Sequence, residues 1–221
     1  IDAFEKAITK NTKAVVVNSP NNPSGVVYSA DTIKKLAKLL DEKSKEIGHE
    51  IYIISDEPYR ELVYENIAVP YIPKIYSNTI ICYSYSKSLS LPGERIGYIF
   101  VSPKIENCQK VYAAVCGAGR ALGFVCAPSL LQLTVKDCVE LTSDVSVYKK
   151  NRDLLYNSLT EYGYKAAKPD GAFYLFIKSP EPDANAFCER AKKYDLLLVP
   201  SDSFGYEGYV RISYCVSTEQ I

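Results

Sequence analysis

The 221-residue chain contains no methionine, no tryptophan and a single histidine, His49. His49 follows Gly48 just past the end of a helical pattern and reads as an exposed turn residue. One such imidazole excludes a His-dependent nucleophilic triad and most zinc sites. Charge of one sign is also lacking: 26 basic residues face 26 acidic ones. Neither a nucleic-acid footprint nor an anionic-membrane patch is expected from that balance, so any bound anion must be held locally. No apolar stretch approaches the roughly 18 residues a membrane span needs, and no signal peptide precedes the first strand-like run. The one Asn-x-Ser triplet, Asn22-Pro23-Ser24, carries a proline where a glycan acceptor cannot. Seven cysteines are odd in number, scattered and at least eight residues apart, which fits neither a disulfide framework nor a metal knuckle. They read as reduced core thiols of a cytoplasmic protein. Without an initiator methionine, with Ile1 entering directly into a helix-like segment and no C-terminal helix before Ile221, the chain is expected to be a piece of a longer one.

What is present is ordinary globular material, 47% apolar and 24% charged, sufficient for a real core. Ala14 to Asn18, Ile51 to Ser55 and Thr79 to Ser84 are continuous apolar, β-branched runs that each end in a polar turn. Ile96 to Val101 is a fourth run. Between the first two, Ser29 is placed as an N-cap, Ile33, Leu36, Ala37, Leu40 and Ile47 recur at helical spacing, and Gly48 stands past the end. Strands without alternation, separated by helices, predict an α/β fold with a mostly parallel sheet covered on both faces. Ligands in such sheets bind beyond the carboxyl ends of the strands.

Farther along, Ile105 to Val115 predicts a helix, followed by a Gly-rich break (Gly117-Ala-Gly119-Arg-Ala-Leu-Gly123) read as a flexible stretch, then a helix from Ser129 to about Cys138. The Gly-rich stretch is no dinucleotide fingerprint, because Leu122 replaces the third glycine and a helix precedes it. Leu141, Val145, Tyr148, Leu155, Leu159 and Tyr162 form one stripe of a long helix ending at Gly163. The domain boundary is placed inside it, giving units 1–145 and 146–221. The second reads as a small α+β domain: strands at Ala172–Ile177, Leu196–Val199 and Tyr209–Cys215, and a helix from Asp183 to Tyr194.

Three polar turns fall at the same ends of consecutive strands: Asn21-Asn22-Pro23-Ser24-Gly25, Ser55-Asp56-Glu57-Pro58-Tyr59-Arg60, and Ser84-Tyr85-Ser86-Lys87-Ser88-Leu89-Ser90-Leu91-Pro92-Gly93-Glu94-Arg95. Lys87 is the only lysine of its loop, and Arg95, the only arginine, follows eight residues later. An amine held this way can form a Schiff base, while hydroxyls and a guanidinium can hold a phosphate. Asp56 ends an apolar strand, where an unpaired carboxylate is penalised; a helix N-cap is its plainer reading. Arg95, entering the apolar strand Ile96 to Val101, likewise needs a partner.

This ordered set resembles the class I/II aminotransferases, fold-type I pyridoxal-phosphate enzymes. The resemblance spans nearly the whole chain. It implies the three-layer α/β/α large domain of PLP-transferases, present in part, and a truncated small α+β C-terminal domain. It further implies pyridoxal 5′-phosphate as cofactor, an amino acid and a 2-oxo acid as substrates, and a cytoplasmic homodimer without nucleic acid, membrane or metal. By the same resemblance Lys87 carries the internal aldimine and moves the substrate's α-proton, and Ser84, Ser86 and Arg95 hold the phosphate. Asp56 pairs with the pyridine nitrogen, and Tyr59 and Asn22 donate to the phenolic oxygen. Arg211, in the apolar run Gly208–Ser213, clamps the substrate's α-carboxylate beside Asn22. Pro169-Asp-Gly-Ala-Phe-Tyr174 is assigned to packing beside the site. The glycine-containing phosphate turn and the ring that stacks on the pyridine are expected to lie before Ile1. Two other readings stay open: a β-lyase-type enzyme using the same residues, and an aminotransferase-like sensor domain of a transcription regulator.

Overall fold

β-Branched runs extend readily and pack well on a pleated surface, and four of them form one sheet in the computed structural model, which describes residues 1–221. The chain divides into two compact units. The first comprises Ile1–Ser19, Tyr28–Arg60 and Ala68–Ser143; the second comprises Pro20–Val27, Glu61–Ile67 and Asp144–Ile221.

In the first unit a short helix, α1 (Asp2–Ala7), precedes β1 (Ala14–Asn18), α2 (Ala30–Ile47), β2 (Tyr52–Asp56) and β3 (Thr79–Ser84). A single helical turn, α3 (Tyr85–Ser88), leads to β4 (Gly97–Val101), and α4 (Cys108–Ala121) and α5 (Ser129–Cys138) follow. The sheet order is β1-β2-β3-β4. β1, β2 and β3 are parallel and β4 is antiparallel to β3. This is the expected α/β arrangement. α2 begins where Ser29 accepts a hydrogen bond from the Thr32 amide and ends at Gly48, whose φ of 83° suits a residue without a Cβ.

The core of this unit sits on one face of the sheet. Val15, Val17 and Ile53 pack there with Ile33, Leu36 and Leu40 of α2 and with Ile51, Ile72 and Tyr76. The expectation of a sheet covered on both faces is not met within these residues. β1 and β2 alternate in burial, and on the opposite face Val16 is 63% and Ile99 52% exposed. The continuous apolar runs provide for two faces, but α2 covers only one.

α4 also corrects the sequence reading, since it runs unbroken through Gly117 and Gly119 to Ala121. A glycine inside a helix costs only about 1 kcal/mol relative to alanine, which its neighbours here outweigh. All seven cysteines are free, but only Cys188 is buried, so most are not core thiols. No helix is long and apolar enough to cross a membrane.

The second unit holds α6 (Val145–Glu161), β5 (Tyr174–Lys178), α7 (Ala184–Ala191), β6 (Val199–Pro200) and β7 (Tyr209–Ser213). Its sheet order is β5-β7-β6, antiparallel throughout, as expected of a small α+β unit. The strand expected at Leu196–Val199 shortens to two residues: Leu196 and Leu197 are exposed, and Pro200 brings no N–H to extend the ladder. On α6 the buried residues are Asn151 and Arg152 rather than the expected apolar stripe, whose Leu141 lies ahead of the helix and whose Tyr162 is exposed. Polar groups can take the core position because they are largely partnered, although Arg152 Nε, 2.8 Å from Asp153 Oδ1, has no hydrogen bond. Asn151 donates to the carbonyls of Tyr214 and Val216, and Arg152 donates to the Pro169 carbonyl and pairs with Glu65.

Candidate functional site

The first cluster of predicted residues forms at strand ends in the first unit. The β1–β2 register sets Asn18 directly opposite Asp56. Asn18 Nδ2 donates to Asp56 Oδ2 at 2.9 Å and to its backbone carbonyl at 3.1 Å. No helix starts at Asp56, so its carboxylate is not an N-cap. Half-burial pushes its pKa up, and the Asn18 bond pulls it part of the way back.

The turn after Asp56 is locked by a buried carboxylate, Glu57, which accepts from Ser55 Oγ at 2.6 Å and from Arg60 Nη1 at 2.8 Å. Arg60 also donates to the carbonyls of Val69 and Pro70. Tyr59 is buried within this turn.

Lys87 is not in an irregular loop but on the one-turn helix α3, half-buried. So short a helix has no stability from propensity and depends on its ends. At the N-terminal end Ser84 Oγ accepts from the Ser86 amide at 3.2 Å and lies 2.7 Å from Ser86 Oγ. Ser86 and Ser88 are buried, and Ser88 Oγ accepts from the Tyr83 hydroxyl at 2.9 Å.

The antiparallel strand pair brings Arg95 back towards these serines: Ser84 pairs with Gly97, and the Tyr85 amide donates to the Ile96 carbonyl. Gly97 is required for that approach, because a Cβ there would lie 2.2 Å from the Tyr83 carbonyl oxygen. Arg95 itself precedes the strand, has φ 52°, is exposed, and donates to the Pro92 carbonyl at 2.7 Å. Its charge is therefore solvated, and the expectation of an arginine driven into an apolar strand is corrected.

The second cluster lies in the second unit. Arg211, on β7, donates from Nη1 to Asn22 Oδ1 at 2.9 Å. Its guanidinium carbon sits 4.5 Å from the Tyr174 ring centre and 5.1 Å from that of Phe204. Its Nε is buried and has no hydrogen-bond partner. The Asn22 turn is fixed from inside: the Ser24 amide donates to Asn21 Oδ1, and the Gly25 amide to the Asn21 carbonyl. Gly25, at φ 71°, sits where a Cβ would fall 2.6 Å from Pro169 Cβ. The Gly25 carbonyl accepts from the amides of Asp170 and Gly171, while Asp170 Oδ2 accepts from the Val27 amide at 3.0 Å. The Pro169–Tyr174 segment thus holds the Asn22 turn and supplies a ring beneath Arg211.

The fold therefore brings Asp56 to Asn18, Ser84 to Ser86, and Asn22 to Arg211. Sequence reading gave no role to Asn18, Glu57 or Phe204, and took Tyr174 only as part of a segment packed beside the site. Asn18 was findable, since it ends the first apolar run as Asp56 extends the second. Phe204 carries no local signal.

Comparison with known proteins identifies the family. The family model described as aminotransferase class I and II matches residues 1–221. The aspartate aminotransferase of Thermotoga maritima is 31% identical over 227 residues, covering 100% of this chain and 56% of that protein. The aromatic-amino-acid aminotransferase 2 of Thermococcus litoralis is also 31% identical, covering 100% of this chain and 57% of its own length. The crystal structure of an amino transferase from Eubacterium rectale superposes with a TM-score of 0.95 at 61% identity, over 99% of this chain and 55% of the other. The chain thus spans little more than half the length of the relatives it matches. Over all of its residues, it belongs to the class I and II aminotransferase family.

Proposed function

We propose that the protein is a pyridoxal-phosphate-dependent aminotransferase that exchanges the amino group of an amino acid for the carbonyl oxygen of a 2-oxo acid. The observation that carries this reading is Arg211. Its guanidinium is stacked on Tyr174, makes one hydrogen bond to Asn22, and keeps a buried Nε–H without an acceptor. A buried donor left unmade costs on the order of 1–3 kcal/mol, so the site fits an anionic acceptor. A planar carboxylate that takes two N–H bonds from one fork satisfies it best.

The residues at the strand ends fit the cofactor as well. Asp56 is a half-buried carboxylate with an amide as its hydrogen-bond donor and a raised pKa, which suits a cationic ring nitrogen as its partner. The hydroxyls of Ser84 and Ser86 and the guanidinium of Arg95 are the phosphate-holding set. When bound, pyridoxal phosphate supplies an electron sink for the substrate's α-carbon. Lys87 holds the cofactor through its Nζ and carries the proton from that carbon. Asp56 keeps the ring nitrogen protonated, and Asn18 orients Asp56. Tyr59 donates to the phenolic oxygen. Arg211 and Asn22 bind the carboxylate and thereby set which face of the α-carbon is presented. The whole protein acts as a homodimer in the cytoplasm.

The test is to add single amino acids to the whole protein carrying its cofactor, following the cofactor's absorbance and the products. A spectral change with stoichiometric 2-oxo acid and no free ammonia is expected. Free ammonia would identify an eliminating lyase, and a spectral response without turnover, coupled to DNA binding, would identify a sensor.

A further inference from the structure

A four-residue helix has little backbone bonding to hold its C-terminal end, and in α3 that end is the turn that carries Lys87, whose carbonyl accepts from the Leu89 and Ser90 amides. This end is also met from 55 residues away. The Ser143 hydroxyl lies 2.8 Å from the Lys87 carbonyl oxygen and 3.0 Å from that of Ser88, sharing its proton between them. The Ser143 amide donates to the same Ser88 carbonyl at 2.7 Å. Ser90 Oγ lies 3.5 Å from Ser143 Oγ. All of these contacts lie within the first unit.

The backbone bonds of α3 itself are few and long at this end. The Leu89 amide reaches the Tyr85 carbonyl at 3.2 Å, and the Ser90 amide reaches that of Lys87 at 3.4 Å. Ser90 sits in a left-handed conformation, φ 55°, which nothing in its side chain favours. The turn is therefore closed at its start by Ser84 and at its end by Ser143. The groove beside it has a volume of about 350 Å³ and is walled by Leu89, Leu91, Val135 and Leu141, so the Ser143 bonds are made against an apolar flank.

We infer that Ser143 is a positioning residue for Lys87: it fixes the backbone at the end of the lysine's turn and so fixes the direction from which the ε-amine approaches the reacting atoms. This rests on the reading of Lys87 as the cofactor-bearing lysine. A misplacement of about 1 Å at a reacting group can cost on the order of 10²-fold in rate, and the long backbone bonds at the end of a single helical turn do not by themselves hold it to that tolerance.

The test compares Ser143→Ala and Ser143→Thr in the whole protein. In the cofactor-free form, the alanine variant should exchange the Leu89 and Ser90 amide hydrogens about five- to tenfold faster, the size expected for the loss of one to two neutral hydrogen bonds. The threonine variant should stay within twofold of the parent. With cofactor, alanine should lower kcat about tenfold with KM nearly unchanged, and threonine should restore it. Borohydride reduction and peptide mapping identify the labelled lysine in each variant. Unchanged exchange and unchanged kcat in the alanine variant, with the label on Lys87, would overturn the role of Ser143. A label on another lysine would overturn the reading of Lys87, while the exchange rates would still report whether Ser143 closes the turn.

Discussion

Asn22 and Arg211 stand 189 residues apart in the chain and meet at 2.9 Å, amide oxygen to guanidinium. The pairing uses one of the arginine's five donors. Tyr174 and Phe204 both lie against the guanidinium, so Arg211 is held by one hydrogen bond and aromatic contact.

Arg211→Lys keeps the charge and loses both the fork and the stacking. Affinity for the amino acid should fall by about 2 kcal/mol, roughly 30-fold, with cofactor binding retained. Steady-state KM and equilibrium dialysis of cofactor measure the two quantities separately. Release of the cofactor with amino-acid affinity unchanged would place Arg211 in the wrong site.

Lys87→Ala should abolish the borohydride-reducible link to the cofactor and stop amino transfer. Mass spectrometry of the reduced protein checks this directly. A phosphopyridoxyl group found on any other lysine of the parent protein contradicts it.

Asp56 predicts a pH effect with a definite sign. Burial raises its folded-state pKa above the unfolded value, so the folded protein binds more protons than the unfolded chain between those two pKa values. Stability of the cofactor-free protein should therefore fall as pH rises through that interval, just above the ordinary aspartate range. Asp56→Asn should remove this dependence, as read by urea unfolding at a series of pH values. With cofactor present, the same variant should lose turnover by orders of magnitude, because a neutral amide cannot keep the ring nitrogen protonated. Near-normal turnover in Asp56→Asn would defeat the assignment.

Arg152 tests stability rather than chemistry. It is 1% exposed, donates to the Pro169 carbonyl at 2.8 Å, pairs with Glu65 and Asp153, and lies 4.6 Å from the Tyr64 ring centre. Arg152→Ala should destabilise the second unit by about 3 kcal/mol, because it empties the space of a large buried side chain packed on Tyr64 and takes the Arg152 donor from the Pro169 carbonyl. Denaturant unfolding monitored within that unit gives the value, and Arg152→Lys should recover little of it.

Much of the first unit was legible because one physical signal dominated it. β-Branched runs closed by polar turns located β1, β2 and β3 to within a residue, and Ser29 with Gly48 gave both ends of α2. Failures arose where a local pattern competed with packing. Gly117 and Gly119 suggested a break, yet the helix continues through them. The α6 stripe pointed at apolar residues, whereas Asn151 and Arg152, held by backbone carbonyls and an ion pair, took the buried positions. At the candidate site, the spacing of Ser84, Lys87 and Arg95 was visible in one loop. The groups that fix them were not, because Asn18 reaches Asp56 through strand register and Ser143 reaches Lys87 through tertiary packing. Such partners have no sequence neighbourhood to announce them.

The reversed direction of β4 has a consequence for how this site tolerates change. The segment from Tyr85 to Ile96 leaves the sheet at Ser84 and re-enters opposite it at Gly97, so both of its ends are fixed by a single strand pair. An inserted or deleted residue near its exposed tip, at Pro92 to Glu94, has no register to disturb beyond that pair. The Ser84–Lys87 spacing stays as it is, and only the reach of Arg95 alters. Length variation at the tip is therefore a route by which evolution can retune one end of the site while leaving the lysine in place.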